Sequence, residues 1–236
     1  MSLKGRMMPE GITAVKAEYL PINAEWIHPE ETDESKAILY FHGDVFAMGN
    51  LKSQRSFISN IVAMVGFKTL LFDYHLAPKF PAHAAVNDSA EIYLWMLEQG
   101  YQPEDIIFAG DSSGGGIELG TLVKLKEEGI PMPSACVALS PSLDSTPSPL
   151  FADLTGLPPI MIHVGNEDVQ RNNATSFGER ADFFGVDVRV KIWKGMPLFE
   201  DTTEVMKQVD SFIKHNMHKE SSFTAAYLYM TMFLHI

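Results

Sequence analysis

The sequence predicts an α/β fold in which helices cover both faces of a mostly parallel sheet. Short apolar runs alternate along the chain with longer segments whose apolar residues recur at helical spacing. Residues 37–41 (AILYF) and 106–109 (IIFA) are apolar at every position, which is typical of strands buried on both faces. Strands that alternate with helices favour parallel pairing. The length of 236 residues fits one such domain, and we expect residues 1–236 to form a single unit.

The pattern predicts the individual elements in order. The first two strands are joined by a turn at Pro21, and Gly66 and Gly100 end the first two helices. Between the sixth and seventh strands, the Pro- and Ser-rich residues 142–157 form a short surface link. Strands are predicted at residues 14–20, 24–27, 37–41, 69–72, 106–109, 135–139, 160–164 and 188–193. Helices are predicted around 57–65 and 84–99, and at 174–184 and 204–215. Another helix is predicted after the glycine cluster at 110–116; it runs through residue 125 and ends near 129.

Composition and charge exclude several classes of protein. The hydrophobic fraction of 46% supports a sizeable core, and the net charge of -12 argues against nucleic-acid binding, which needs clustered Lys and Arg. No stretch approaches the roughly 20 apolar residues of a membrane span, and no signal peptide is recognisable. We therefore expect a cytoplasmic protein. The single cysteine, Cys136, excludes an internal disulfide and lies in an apolar run, so we expect a buried, inert thiol.

Residues 110–114 (GDSSG) match the pattern G-x-S-x-G between a predicted strand and a predicted helix. A serine at this position occupies a sharp turn, and Gly110 and Gly114 are small enough to let the neighbouring backbone approach. The turn directs the Ser112 hydroxyl toward the space above the strand ends. The following helix directs its N-terminal N–H groups at a developing oxyanion. Ser112 is therefore the predicted nucleophile.

The same glycines do not form a phosphate-binding loop. The pattern G-x-G-x-x-G fails because Leu119 stands where the last glycine belongs, and no Lys-Ser/Thr pair follows as in a P-loop. His215, His218 and Glu220 lie near the end of the last helix, where we expect a solvated helix end rather than a metal site. The sequence thus predicts neither a cofactor nor a metal.

These motifs resemble the carboxylesterases and lipases related to hormone-sensitive lipase. GDSSGGG at residues 110–116, which includes Asp111, is similar to the family's G-D-S-A-G-G elbow, and FDYHLAP at 72–78 is similar to its D-Y-R-L-A-P segment. LPPI at 157–160, IHVG at 162–165 and WKGMP at 193–197 match in order, so the resemblance spans about residues 37–215. It implies an α/β-hydrolase fold with an eight-stranded sheet, its core at about residues 12–215, and ester hydrolysis.

The resemblance implies Asp168 as the catalytic acid, with Glu167 as the neighbouring alternative. The family's catalytic histidine is missing, because its motif G-M-P-H corresponds to residues 195–198 and this chain has Leu198 at the last position. Either Leu198 replaces the histidine, or the histidine is deleted and residues 198–200 have closed up. Leucine has no titratable nitrogen that could take the serine proton.

The predicted oxyanion hole is also altered. The family has H-G-G-G, whereas this chain has His42, Gly43, Asp44 and then Val45. Valine is poorly suited to positive φ, and Asp44 adds a carboxylate where negative charge develops. The N–H groups of Gly43, Asp44 and Ser113 are the candidate oxyanion donors, and the resemblance gives His42 a structural role.

No other histidine has the chain position of the missing base. His163 lies in a predicted strand, where we expect a buried core side chain, and His75 stands where the family has arginine. His83 lies in a proline-rich loop.

The family's cap is expected to be reduced or absent, because little sequence precedes the first strand and the link at 142–157 is short. We therefore expect an open pocket for a small-molecule ester or acyl ligand. Residues 219–236 form an atypical apolar segment that is too short for a membrane span; it either fills the core or pairs two subunits. The resemblance implies a homodimer.

Two functions remain open from the sequence. The first is a carboxylesterase that forms an acyl-enzyme on Ser112, with weak or no turnover because the histidine is absent. The second is a non-catalytic binding or interaction protein, a degenerate or engineered scaffold that keeps the elbow.

Overall fold

The structure, a computed structural model, describes residues 8–18, 22–43, 51–75, 79–144, 148–195 and 203–217. The strands are β1 Ile12–Lys16, β2 Ala24–Pro29, β3 Ala37–Phe41, β4 Lys68–Phe72, β5 Ile106–Asp111, β6 Ala135–Leu139, β7 Ile160–Gly165 and β8 Val188–Trp193. The helices are α1 Leu51–Val65, α2 Ala82–Glu98, α3 Ser113–Glu127, α4 Arg171–Phe183 and α5 Thr203–Met217, with 3₁₀ turns at Pro103–Asp105 and Pro149–Phe151.

The strands of the described residues form one eight-stranded sheet, in which they lie in the order β1-β2-β4-β3-β5-β6-β7-β8. β2 pairs antiparallel with both of its neighbours, β1 and β4. All other neighbouring pairs in the sheet, from β4–β3 to β7–β8, are parallel. The predicted α/β fold with an eight-stranded, mostly parallel sheet is therefore confirmed. Because these strands are parallel, the carboxyl ends of β3 to β8 lie at one edge of the sheet, where open α/β sheets bind their ligands.

Two apolar layers cover the sheet, one on each face. Helices α2, α3 and α4 pack on one face, and α1 and α5 pack on the other. In β5, Ile106 and Phe108 face the first layer, whereas Ile107 and Ala109 face the second. Full burial of such a side chain contributes about 1.5–3 kcal/mol, so a strand buried on both faces favours apolar residues at most of its positions. This explains the uninterrupted apolar runs from which the strands were predicted.

The predictions for two connecting regions are partly wrong. β1 ends at Lys16, because the Ala17 N–H already bonds to the carbonyl of Ala24, the first residue of β2. The β6–β7 link is not confined to the surface, since Leu143 and Leu154 are fully buried in the core. Pro21 and residues 145–147 lie outside the described residues.

The burial predicted for two side chains is confirmed. Cys136 is a free thiol inside β6, and His163 on β7 is 1% exposed. Within the described ranges, none of the helices has the length and apolar character needed to cross a membrane.

Candidate active site

Ser112 occupies a sharp turn between the end of β5 and the start of α3. Its backbone adopts φ 52° and ψ -122°, an unusual conformation for a residue with a side chain. Two hydrogen bonds fix the turn: the Ser112 N–H donates to the Leu139 carbonyl at 2.9 Å, and the Ser112 carbonyl accepts the Ser142 N–H at 2.8 Å. The end of β6 therefore holds the turn on the sheet.

The glycines of the elbow are required by the close approach of β3. A Cβ added at Gly110 would lie 2.8 Å from the Phe41 carbonyl oxygen. A Cβ added at Gly114 would overlap the same carbonyl and lie 2.7 Å from the His42 oxygen. The first turn of α3 therefore lies directly against the backbone that leads into the predicted oxyanion loop.

Gly43 brings that loop into contact with the nucleophile. A Cβ added at Gly43 would lie 3.0 Å from the Cβ of Ser112. The Gly43 N–H donates to Asp111 Oδ1 at 3.0 Å, and its carbonyl accepts from Gln54 Nε2 at 3.2 Å. An oxyanion would therefore have to compete with Asp111 for the Gly43 N–H. Asp44 lies outside the described residues, and Ser113 begins α3, where its N–H belongs to the helix N-terminus.

Asp111 joins the elbow to the oxyanion loop, a role that sequence reasoning missed. Its Oδ1 accepts both the Gly43 N–H and the Tyr40 hydroxyl, each at 3.0 Å. Burial raises the pKa of the Asp111 carboxyl, and these two hydrogen bonds oppose the rise because they favour the charged form. The partners are far away in sequence, so only the folded chain shows this connection.

His42 supports the loop from the opposite side. Its ring stacks on Tyr74 with centroids 4.7 Å apart, and its carbonyl accepts the Tyr74 hydroxyl. His42 Nδ1 lies 3.3 Å from the Gly43 carbonyl, which can only accept, so Nδ1 is the protonated nitrogen in this contact. These contacts agree with the structural role implied by the resemblance.

Asp168 lies in the loop after β7 and is 5% exposed. Its Oδ1 accepts the Gln170 N–H at 2.9 Å, whereas its buried Oδ2 has no hydrogen-bond partner in the part of the chain that is described. Glu167, the alternative, is exposed to solvent. Of the two carboxylates, Asp168 is therefore the buried one and Glu167 the one that faces solvent.

The loop of Asp168 is tied to the end of β8, which leads to the position of the missing histidine. The Asn166 N–H donates to the Trp193 carbonyl at 2.8 Å, and Asn166 Oδ1 accepts the Gly195 N–H at 2.8 Å. Leu198 itself lies outside the described residues.

His163 cannot take the role of general base in its observed hydrogen bonding. Its Nδ1 accepts the Trp193 Nε1–H at 2.7 Å, so the neutral ring carries its proton on Nε2. Burial, with a smaller contribution from Lys191, lowers the pKa of His163 to about 4. Neither nitrogen is therefore available to accept the proton of Ser112.

Two other described histidines are engaged elsewhere or lie at another edge of the sheet. His75 follows β4, beyond β3 from the elbow, and its Nδ1 lies 2.8 Å from Asp88 Oδ2. His215 lies in the last turn of α5, beside Asn216, whose carbonyl accepts the hydroxyl of Ser134 just before β6. His215 is therefore at the amino edge of the sheet, opposite the elbow. Within the described residues, no cluster of His, Cys, Asp and Glu is suited to hold a metal.

Glu118 is a second residue that sequence reasoning missed. It lies on α3, fully buried, and its carboxyl oxygens find no hydrogen-bond partner among the described residues. Burial, followed by the charge of Asp111, raises the pKa of Glu118 well above its ordinary value, and the neighbouring Cys136 thiol opposes this only in part. Burial therefore disfavours the charged form of this carboxyl, which lies close to Asp111 of the elbow.

Comparison with known proteins agrees with this fold. A family profile described as alpha/beta hydrolase fold matches residues 38–149 and 143–199. An acetyl-hydrolase from Streptomyces hygroscopicus is 31% identical in an alignment of 211 residues that covers 73% of this chain and 70% of that protein.

Solved structures show the same relationship. A crystal structure of an esterase from the bacterial hormone-sensitive lipase family matches with a TM-score of 0.85 and 28% identity, covering 91% of this chain and 88% of that chain. EstE5, in a crystal soaked by p-nitrophenyl butyrate, matches with a TM-score of 0.83 and 28% identity over the same shares, 91% and 88%. The chain therefore belongs to the alpha/beta hydrolase fold family, among relatives named as acetyl-hydrolases, esterases and lipases.

Proposed function

We propose that this chain is a carboxylesterase that hydrolyses short acyl esters through an acyl-enzyme on Ser112. The observation that carries the proposal is the strained backbone of Ser112, held between β5 and α3 by hydrogen bonds from the end of β6. A non-glycine residue in such a conformation costs about 1–3 kcal/mol, persists only where the surrounding structure holds it, and is concentrated at active sites. The elbow presents a half-buried serine at the edge of the sheet where ligands bind.

The remaining groups have roles that follow from their positions. Ser112 Oγ attacks the ester carbonyl, and the negative charge that develops on the carbonyl oxygen is stabilised by N–H donors. Ser113 offers the N-terminus of α3, and Gly43 and Asp44 are the loop donors, with Gly43 shared with Asp111. Asp168 is the carboxylate that would orient a base, and no base is assigned.

The absence of an assigned general base limits the rate. With Leu198 at the family's histidine position, Ser112 remains an ordinary alcohol at neutral pH. Loss of the histidine in a serine protease costs roughly 10⁶ in turnover, and the oxyanion hole and binding alone leave about 10³–10⁴ over water. We therefore expect weak turnover.

A non-catalytic ligand-binding protein is the second candidate. Two observations favour it: Leu198 stands in place of the base, and the Gly43 N–H is engaged by Asp111. Such a protein would keep the elbow and bind an ester or acyl ligand without cleaving it.

Hydrolysis of p-nitrophenyl acetate and butyrate by the chain and by its Ser112→Ala variant tests the proposal. These esters are chosen because similar proteins are named as an acetyl-hydrolase and as an esterase soaked by p-nitrophenyl butyrate. We expect a slow rate that is lost in the variant. Equal rates at the buffer background would support the binding protein instead.

Other properties remain predictions from the sequence. They are a cytoplasmic location, a homodimer, and an apolar segment at residues 219–236 that fills the core or pairs two subunits. That segment lies outside the described residues.

A further inference from the structure

A buried glutamine on α1 holds the carbonyl of Gly43 at the start of the predicted oxyanion loop. Gln54 is 5% exposed, and its Nε2 donates to the Gly43 carbonyl oxygen at 3.2 Å. Because a carbonyl can only accept, the amino group of the Gln54 side chain faces it. His42 Nδ1 lies 3.3 Å from the same oxygen. Two side chains therefore fix the direction in which this carbonyl points.

The direction of that carbonyl also sets the direction of the next N–H group. A peptide bond is planar and almost always trans, so its C=O and its N–H point in opposite directions. The carbonyl of Gly43 shares its peptide with the N–H of Asp44, a residue that itself lies outside the described part of the chain. A hydrogen bond that holds the carbonyl on one side thus turns this N–H to the other side.

The two sides of this peptide face different elements. α1, which carries Gln54, packs on one face of the sheet, whereas α3, which begins directly after Ser112, packs on the other. Gly43 itself lies against the elbow, because a Cβ added to it would lie 3.0 Å from the Ser112 Cβ. An N–H that points away from α1 therefore points toward the side of the sheet on which the elbow lies.

This N–H gains importance because the preceding one is already engaged. The Gly43 N–H donates to Asp111 Oδ1 at 3.0 Å, so an oxyanion competes with a carboxylate for it. We propose that Gln54 is a positioning residue, which orients the Gly43–Asp44 peptide so that its N–H faces an oxyanion formed at Ser112. The orientation of the peptide stands by itself, whereas its use in catalysis rests on the proposed function.

Replacement of the Gln54 amide tests the orientation without reference to activity. Gln54→Met keeps an unbranched side chain and loses the donor, and Gln54→Glu is a second variant that keeps a polar end. Asn60→Leu is the matched control, because Asn60 Nδ2 donates to the Ser56 carbonyl within α1 at 2.9 Å. Circular dichroism melting confirms that the variants fold.

The N–H residual dipolar coupling of Asp44, measured by NMR on the aligned protein, reports the orientation of this peptide. We expect the coupling to change in Gln54→Met and to stay the same in Asn60→Leu, while the couplings of β3 and β5 are equal in all the proteins. An unchanged Asp44 coupling in Gln54→Met, or in Gln54→Glu where Gln54→Met does not fold, would overturn the inference.

The consequence for the site is measured with butylboronic acid, a probe that requires no turnover. Ser112 Oγ bonds to boron and its proton leaves to solvent, which gives a tetrahedral anion that resembles the reaction's intermediate. Ser112→Ala identifies the binding that depends on this serine. We expect that binding to weaken at least about tenfold in Gln54→Met, below the 10²–10³ that loss of an oxyanion donor costs in turnover. Asn60→Leu should bind like the parent chain.

The two measurements separate this inference from the proposed function. A changed Asp44 coupling with equal boronate affinity in the parent and in Gln54→Met would overturn the positioning role. Ser112-dependent binding with an unchanged coupling would also overturn it, and would support the proposed function. A changed coupling without Ser112-dependent binding in the parent would support the orientation and refute the proposed ester hydrolysis.

Discussion

Replacing Glu118 by glutamine will make the stability of this protein less dependent on pH between about pH 5 and pH 7. Glu118 is fully buried on α3, and burial together with the charge of Asp111 raises its pKa well above the ordinary value. The folded chain therefore holds a proton on Glu118 in a range where the unfolded chain has released it. Glutamine has nearly the same shape and carries no titrating group.

The sign and size of the effect follow from proton linkage. The unfolded carboxyl titrates near its ordinary pKa of about 4.3, so above that pH the folded state binds more protons than the unfolded state. The free energy of unfolding then falls by up to about 1.4 kcal/mol for each pH unit between the unfolded pKa and the folded pKa of Glu118. The stabilisation is fully present below the unfolded pKa and is lost as the pH rises toward the folded pKa.

Urea unfolding at both pH values measures this difference. The parent chain should lose more free energy of unfolding than Glu118→Gln on going from pH 5 to pH 7, because the other titrating groups are common to both. Glu127→Gln, at an exposed position of the same helix, should behave like the parent. Identical pH dependence in the parent and in Glu118→Gln would show that Glu118 ionises normally and would refute the reasoning.

Three further predictions concern the site and its supports. Leu198→His should raise turnover of p-nitrophenyl acetate by about 10²-fold or more, since a positioned base contributes about 10²–10⁴, and an unchanged rate would point to a defective oxyanion loop. Gly114→Ala should lower the free energy of unfolding by about 1–3 kcal/mol in urea, because its Cβ overlaps the Phe41 carbonyl. The matched Gly120→Ala meets only a side-chain methyl at 3.3 Å, so a loss as large as that of Gly114→Ala would contradict this account. Burial lowers the pKa of His163 to about 4. The neutral ring therefore contributes up to about 3 kcal/mol to the free energy of unfolding above about pH 6.5, and this contribution is lost as the pH falls toward 4. His163→Gln should remove that part of the acid sensitivity in thermal melts, and melts as acid-sensitive as those of the parent would disprove it.

The strands and the elbow could be predicted because their causes are local. A run such as AILYF at residues 37–41 has no polar side to expose, and the structure buries every residue of β3. Gly110 and Gly114 indicate a tight strand-to-helix turn, and both lie against the backbone of β3. The sharp conformation of Ser112 follows from that turn.

The connections that depend on distant residues could not be predicted. Asp111 meets Gly43, 68 positions earlier, and nothing in the GDSSG pattern shows this pairing. Glu118 would be assigned to solvent from its charge, yet α3 is buried on nearly all sides, so its helical position gives no indication of exposure. The unpartnered oxygen of Asp168 likewise depends on the folded loop.

Labelling of Ser112 by an organophosphonate tests the central claim most directly, because it reports the reactivity of the nucleophile without requiring complete turnover. The chain and its Ser112→Ala variant are treated with the reagent and compared by peptide mass spectrometry, with and without the Leu198→His substitution. We predict slow modification at Ser112 in the parent chain and much faster modification in Leu198→His. An unmodified Ser112 in both proteins would contradict the claim that this elbow presents a catalytic nucleophile.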